Sequence, residues 1–225
     1  MSHSVNHSAA LHMNTDLVSY YRNRAKAYDK VYDKPGQQTD LQQSAQILQR
    51  TFAGMDVLEI ACGTGYWTEK MARTARSITA TDINEAVLEI ARTKTCAPAT
   101  VAFHVEDLFY PQNAHQYDGL FGGFIWSHIP QQDLPQFIRT LNRRVKQGGV
   151  VALMDNTFVP GSSTPIAETD PAGNTYQIRT LDDKSTYRVL KNFPPDAQIR
   201  QLVAAEAETL EIIRLTYYWI LIYRV

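Results

Sequence analysis

The stretch VLEIACGTGYW, residues 57–67, constrains the fold of this chain more than any other segment. A short apolar run, VLEI, reads as a parallel strand covered on both faces. It enters the glycine turn ACGTG, and a helix is expected from about Trp67 to Thr74. The pattern then repeats. ITAT (78–81) reads as a second strand ending at Asp82. Asn84 can cap a helix from Glu85 to Lys94, and VAFHV (101–105) is a third strand leading into Glu106-Asp107. DGLFGGFI (118–125) is a fourth. Asp133 can cap a helix to Lys146, which Gly148-Gly149 ends, and VVALM (150–154) is a fifth. This alternation predicts an α/β fold: an open, mainly parallel sheet, doubly wound with helices on both faces.

The ends of the chain are built differently. Leu17, Tyr21, Ala25, Tyr28 and Tyr32 recur at spacings of three and four, predicting one amphipathic helix over 17–32, closed by Pro35-Gly36. A second helix is expected over about 40–50. The stretch 156–195 breaks the rhythm: TYQIRTL and STYRVL flank Asp182-Asp183-Lys184 and read as a hairpin at about 176–190. Pro194-Pro195 starts a last helix, and LEIIRL and YYWILIYRV read as an antiparallel pair at the sheet edge. Residues 1–15 are expected to be a disordered leader. The histidines His3, His7 and His12 belong to it, with no metal reading attached. Residues 16–225 form a single domain, with 156–195 as an inserted loop and hairpin.

Composition narrows the function. The 225 residues, 44% hydrophobic, can bury one sizeable core. A net charge of -1 from 22 basic and 23 acidic residues gives no footprint for nucleic acid or anionic lipid. No apolar run approaches 18 residues, which argues against a membrane span, and the N-terminus lacks the pattern of a secretory signal. With only Cys62 and Cys96, a reducing, cytoplasmic setting is expected.

A glycine turn after the first strand lets backbone approach a ligand closely, and the next helix offers free N–H groups there. Asp82, nineteen residues beyond Gly63, ends the second strand, where a carboxylate can accept from both hydroxyls of a ribose. The third glycine of the dinucleotide fingerprint is missing, because Gly65 is followed by Tyr66-Trp67-Thr68. Glu59, Asp82, Glu106 and Asp107 make an acidic rim, which suits a positively charged nucleoside better than a pyrophosphate.

The segment resembles motif I of class I S-adenosylmethionine-dependent methyltransferases, small-molecule type, in which an acidic residue precedes an (A/G)xGxG turn; Glu59, Ala61, Gly63 and Gly65 occupy those places. The resemblance implies a Rossmann-like, seven-stranded sheet with an antiparallel C-terminal strand. It implies S-adenosyl-L-methionine as cofactor and a small-molecule acceptor. The turn Ala61 to Gly65, including Cys62, and the adjoining Trp67 would wrap the methionine moiety. Asp82 would bind the ribose, with Ile83 against the adenine. Asp107 would reach the adenine amino group beside Leu108, and Gly123 and Phe124 would lie near the sulfonium. In many small-molecule methyltransferases an N-terminal helix with a Tyr-Asp pair closes over the cofactor. Here that pair is Tyr28-Asp29, so 16–50 is expected to be a helical lid, with Tyr21 and Tyr28 against the cofactor.

A sulfonium methyl is already activated, so alignment and desolvation carry much of the catalysis, and a base is needed only if the acceptor must lose a proton. His128 is the candidate base, and Trp126, Asp155 and Asn156 the candidate acceptor-side residues. MDNTFVPGSS resembles the metal-bearing segment of catechol-type O-methyltransferases. Those enzymes add an aspartate where this chain has Gly123, so a magnesium site is the alternative and metal independence the expectation. A non-catalytic, cofactor-binding regulator is the other alternative. GFIW stands where DNA amino-methylases carry an Asx-Pro-Pro-aromatic tetrapeptide, and no nucleic-acid partner is expected. The hairpin is expected to cover the acceptor side, the alternative being a homodimer contact through its β edge.

Overall fold

The computed structural model describes residues 15–111 and 114–225. The leader expected over residues 1–15 therefore lies almost wholly outside the described residues.

Seven strands form the central sheet: β1 (Asp56–Ile60), β2 (Ser77–Asp82), β3 (Thr100–Val105), β4 (Tyr117–Gly123), β5 (Val145–Asn156), β9 (Thr209–Arg214) and β10 (Tyr218–Arg224). Their order is β3-β2-β1-β4-β5-β10-β9. β10 runs antiparallel to both of its neighbours, so it alone opposes the common direction. Chain order reverses between β1 and β4, which opens a crevice at their carboxyl ends, the place where such sheets bind ligands. Two apolar clusters cover the sheet, one built on Leu58, Leu120, Phe137 and Trp219, the other on Val57, Phe52, Trp67 and Ile220. β1 is buried from Val57 to Ile60, as a strand covered on both faces requires.

Several local expectations are corrected. Residues 17–32 are not one helix: α1 (Thr15–Arg24) passes into a 3₁₀ stretch, Ala25–Tyr32. That tightening keeps Tyr28 and Tyr32 on the ligand side while Tyr32 stacks on Tyr66, centroids 3.7 Å apart. α2 (Gln38–Thr51) and α3 (Tyr66–Met71) follow the expected order. α4 (Glu85–Ala91) has no side-chain cap from Asn84, whose amide instead donates to the Val18 carbonyl at 3.3 Å. α5 (Leu134–Asn142) likewise lacks a cap from Asp133, and it ends before Lys146 because β5 already begins at Val145. Gly148-Gly149 lie within that strand.

A second, three-stranded sheet comprises β6 (Glu168–Thr169), β7 (Thr175–Thr180) and β8 (Thr186–Leu190), before α6 (Asp196–Val203). β7 and β8 are the expected hairpin. Leu17 and Tyr20 of α1 bury themselves against Val189 of β8, with Tyr21 and Tyr187 beside them. Burial of each large apolar side chain there is worth on the order of 1.5–3 kcal/mol, which ties lid and hairpin into one cap over the crevice.

Candidate active site

At the carboxyl end of β1 the chain turns through three left-handed residues, Ala61 (φ 49), Gly63 (φ 56) and Gly65 (φ 76). A Cβ on Gly63 would meet nothing within 4 Å, so the turn presents bare backbone to the crevice, whereas a Cβ on Gly65 would sit 3.0 Å from Ala91 and push α3 away from α4. The turn is pinned by Asp82: its Oδ2 accepts from the Gly63 amide and its Oδ1 from the Asn84 amide, both at 2.9 Å. Burial pushes the Asp82 carboxyl up, opposed by those amides. Phe124, just past β4, also has a positive φ of 59, strained for a bulky residue.

These groups face a small cavity of about 80 Å³, lined by Ala61, Gly63, Asp82, Ile83, Gly123 and Phe124, with His128 also in its wall. Leu17, Val18, Tyr21 and Tyr28 of the lid close it. A second cavity, about 660 Å³, lies beyond, between the lid, the hairpin and Asn156. Tyr21, Tyr28 and Phe124 belong to both walls and form the partition.

Other residues marked in the sequence lie behind this surface. Glu59 is buried under the turn, its Oε2 accepting from Thr68 Oγ1 at 2.5 Å, and burial lifts its carboxyl to about 8. Cys62, Gly65 and Trp67 support the turn without lining either cavity. Trp67 packs edge-on to Tyr32 and Tyr66. Asp107 closes its own loop by accepting from the Phe109 amide, and Leu108 joins the core. Trp126 does not reach the acceptor side: it is 1% exposed, edge-on to Trp219 at 5.7 Å. Its aromatic bulk fills the core beneath the site.

His128 is held by two bonds. Nδ1 lies 2.6 Å from the Leu190 carbonyl, which can only accept, so Nδ1 carries the proton. Nε2 is therefore the acceptor, and the Tyr21 hydroxyl donates to it at 2.7 Å. Burial, with Lys191 nearby, lowers the imidazole to about 3, and burial raises the Tyr21 phenol well above its ordinary value. Asp155 is fully buried, with both oxygens hydrogen-bonded. Oδ1 accepts from Lys191 Nζ and the Asn156 amide, both at 2.7 Å, and Oδ2 from the Ser127 amide at 2.9 Å. Burial would raise this carboxyl, but Lys191, His128 and the Ser127 amide together outweigh it and the net shift is downward. Lys191 also donates to Ser127 Oγ at 2.7 Å.

The sequence reading missed Lys191, Arg24 and Arg179, all in the wall of the large cavity. No local pattern marks them, because each reaches the site only through docking of lid on hairpin.

Residues 57–149 match a family described as a methyltransferase domain. The chain is 35% identical over 105 residues to the ubiquinone biosynthesis O-methyltransferase of Pseudomonas aeruginosa, covering 45% of this chain and 44% of that one. It is 29% identical over 108 residues to the demethylmenaquinone methyltransferase of Staphylococcus aureus, covering 46% and 44%. The matched regions thus span less than half the length of these curated relatives. A solved structure described as a DhpI–SAH complex superposes with a TM-score of 0.77 at 26% identity, over 93% of this chain and 95% of that one. Residues 57–149 thus carry a methyltransferase domain, and the chain as a whole is similar in fold to S-adenosylmethionine-dependent methyltransferases. The glycine turn, Asp82 and Phe124 lie on one crevice. The sheet has the seven strands and the antiparallel C-terminal strand expected from that resemblance.

Proposed function

We propose that the chain moves a methyl group from S-adenosyl-L-methionine to a small-molecule acceptor held in the large cavity. The observation that carries this reading is the shared wall: Tyr21, Tyr28 and Phe124 separate a backbone-lined pocket at the glycine turn from a cavity large enough for a metabolite. The bound donor supplies an electrophilic sulfonium methyl. Asp82, fixed by two amides and facing the small cavity, takes the ribose hydroxyls, with Ile83 against the adenine and Asp107 and Leu108 at its far edge. Gly123 and Phe124 sit at the partition. The DhpI structures, described as complexes with SAH and with SAM and HEP, support a donor in this crevice. At about 80 Å³ the small cavity is below the roughly 300–1,000 Å³ of ligand pockets, so α1 moves outward to admit the donor and closes again over it.

The reaction runs without magnesium in this reading. The residues after β5 that resemble a metal segment do not fit one, because the Lys191 ammonium and two backbone amides already take the oxygens of Asp155. His128 holds Tyr21 in the partition. Its one basic nitrogen is spent on that bond, and catalysis rests on alignment and exclusion of water by the cap.

Calorimetry with S-adenosylhomocysteine, followed by release of that product from S-adenosylmethionine on addition of acceptors, tests the reading. Binding with product release is expected. Absence of binding overturns the site, and binding without turnover on any acceptor points to a regulator.

A further inference from the structure

Two guanidinium groups stand in the wall of the large cavity without a counter-charge among the described residues. Arg24 donates through Nη1 to the Tyr20 hydroxyl at 2.9 Å, and its Cζ lies 5.7 Å and 5.6 Å from the rings of Tyr20 and Tyr28. Arg179 approaches Tyr20 from the hairpin side, Cζ 5.8 Å from the ring centre, and gives Nε and Nη2 to the single oxygen Oε1 of Gln177 at 3.2 Å and 2.9 Å. Neither forms an ion pair with a carboxylate among the described residues. The acidic residues in the same wall are Asp182 and Asp183, exposed at the hairpin tip, and Asp183 is turned back onto Ser185. Lys191, at the cavity floor, is neutralised by Asp155.

Removing guanidinium groups from water without an anion is unfavourable, and their planar forks match carboxylate or phosphoryl oxygens. Arg24 and Arg179 come from elements 155 positions apart, and both converge on Tyr20, next to the Tyr21–Tyr28 partition. A packing role alone would be met by neutral side chains. His128 adds a second, independent constraint. Its basic nitrogen is occupied by Tyr21, so the partition offers no free base to strip a proton from a neutral alcohol or amine.

We infer that the acceptor is a small organic oxyanion, a carboxylate or phosphoryl acid, seated in the large cavity by Arg24 and Arg179 and methylated on its charged oxygen. This rests on the reading of that cavity as the acceptor site. The acceptor oxygen contributes a lone pair to the new O–CH₃ bond as the C–S bond breaks with its electron pair going to sulfur. No proton is transferred, which is why no base is needed. The acceptor loses one negative charge and the donor its positive one. The ester product is held less tightly by the two guanidiniums than the acid was, which favours release.

The test is calorimetric, on the full chain saturated with S-adenosylhomocysteine, using inorganic phosphate, acetate and ethanol as probes. Saturable binding of phosphate or acetate, and none of ethanol, is expected; whichever anion binds tighter assigns the acid as phosphoryl or carboxylate. Arg24→Gln and Arg179→Gln should each weaken the anion by about tenfold or more, with affinity for S-adenosylhomocysteine held within about threefold as the check on folding. Arg24→Lys and Arg179→Lys should fall between. Failure of both anions to saturate, or equal anion affinity in the glutamine variants, overturns the inference while S-adenosylhomocysteine still binds. If S-adenosylhomocysteine itself does not bind, the reading of the crevice fails and this inference falls with it.

Discussion

The Tyr21 hydroxyl donates to Nε2 of His128 across 2.7 Å, joining the lid to the loop after β4 through residues 107 positions apart. The Leu190 carbonyl fixes the imidazole as the Nδ1–H tautomer, and the Tyr21 bond holds the phenol in the wall common to both cavities. In the proposed reading the histidine positions this tyrosine instead of acting as a base.

His128→Ala and Tyr21→Phe should therefore lower kcat/KM by similar, modest factors, roughly tenfold, and the double variant should be little worse than either single one. Between pH 6 and 8 the rate profile should be the same with and without His128, whose pKa of about 3 lies far below that window. Steady-state kinetics across that range checks this. A 10²–10⁴-fold loss with disappearance of an ionisation near neutrality would make His128 the general base.

Asp82→Ala should weaken S-adenosylhomocysteine by about tenfold to a hundredfold, since a charged acceptor worth on the order of 1.5–3 kcal/mol is lost together with the anchor of the Gly63 amide. Titration calorimetry measures it. Unchanged affinity would move the ribose elsewhere.

The Lys191–Asp155 pair is buried on both sides, with side chains 4% and 0% exposed. Lys191→Met should destabilise the fold by about 3–5 kcal/mol by stranding the carboxylate, and Lys191→Met with Asp155→Leu should recover much of that loss. Urea unfolding midpoints report both. Because the ammonium takes the place a metal would need, turnover should also survive dialysis against EDTA. Loss of activity restored by magnesium would show that the segment after β5 is a metal site.

Glu59 titrates at about 8 in the fold because of burial, against an ordinary value near 4.5. The folded state therefore holds this proton more tightly than the unfolded chain does. The resulting stability is complete below about pH 4.5 and is lost progressively as pH rises through 8, by a few kcal/mol in all. Glu59→Gln should flatten the stability–pH curve between pH 5 and 8 and leave the variant more stable than the parent at pH 8. Equal slopes in denaturant titrations across that range would mean that Glu59 is charged in the native state.

The crevice at the end of β1 was legible from sequence because its parts are local: a strand, a turn needing φ above zero at Gly63, and a carboxylate nineteen residues on at the end of the next strand. The mainly parallel sheet followed from the βαβ rhythm, since parallel neighbours require covering helices. Only the tertiary structure decided the walls of the large cavity. Trp126 looked like a pocket residue and is core, because a 3₁₀ turn over Trp126–His128 turns its ring against Trp219. Asn84 looked like a cap and instead holds the lid. Arg24, Arg179 and Lys191 carried no spacing signal at all. Their roles arise from pairings between α1, the β7–β8 hairpin and the end of β5, and a sequence pattern records the period of one element, not which distant elements will dock.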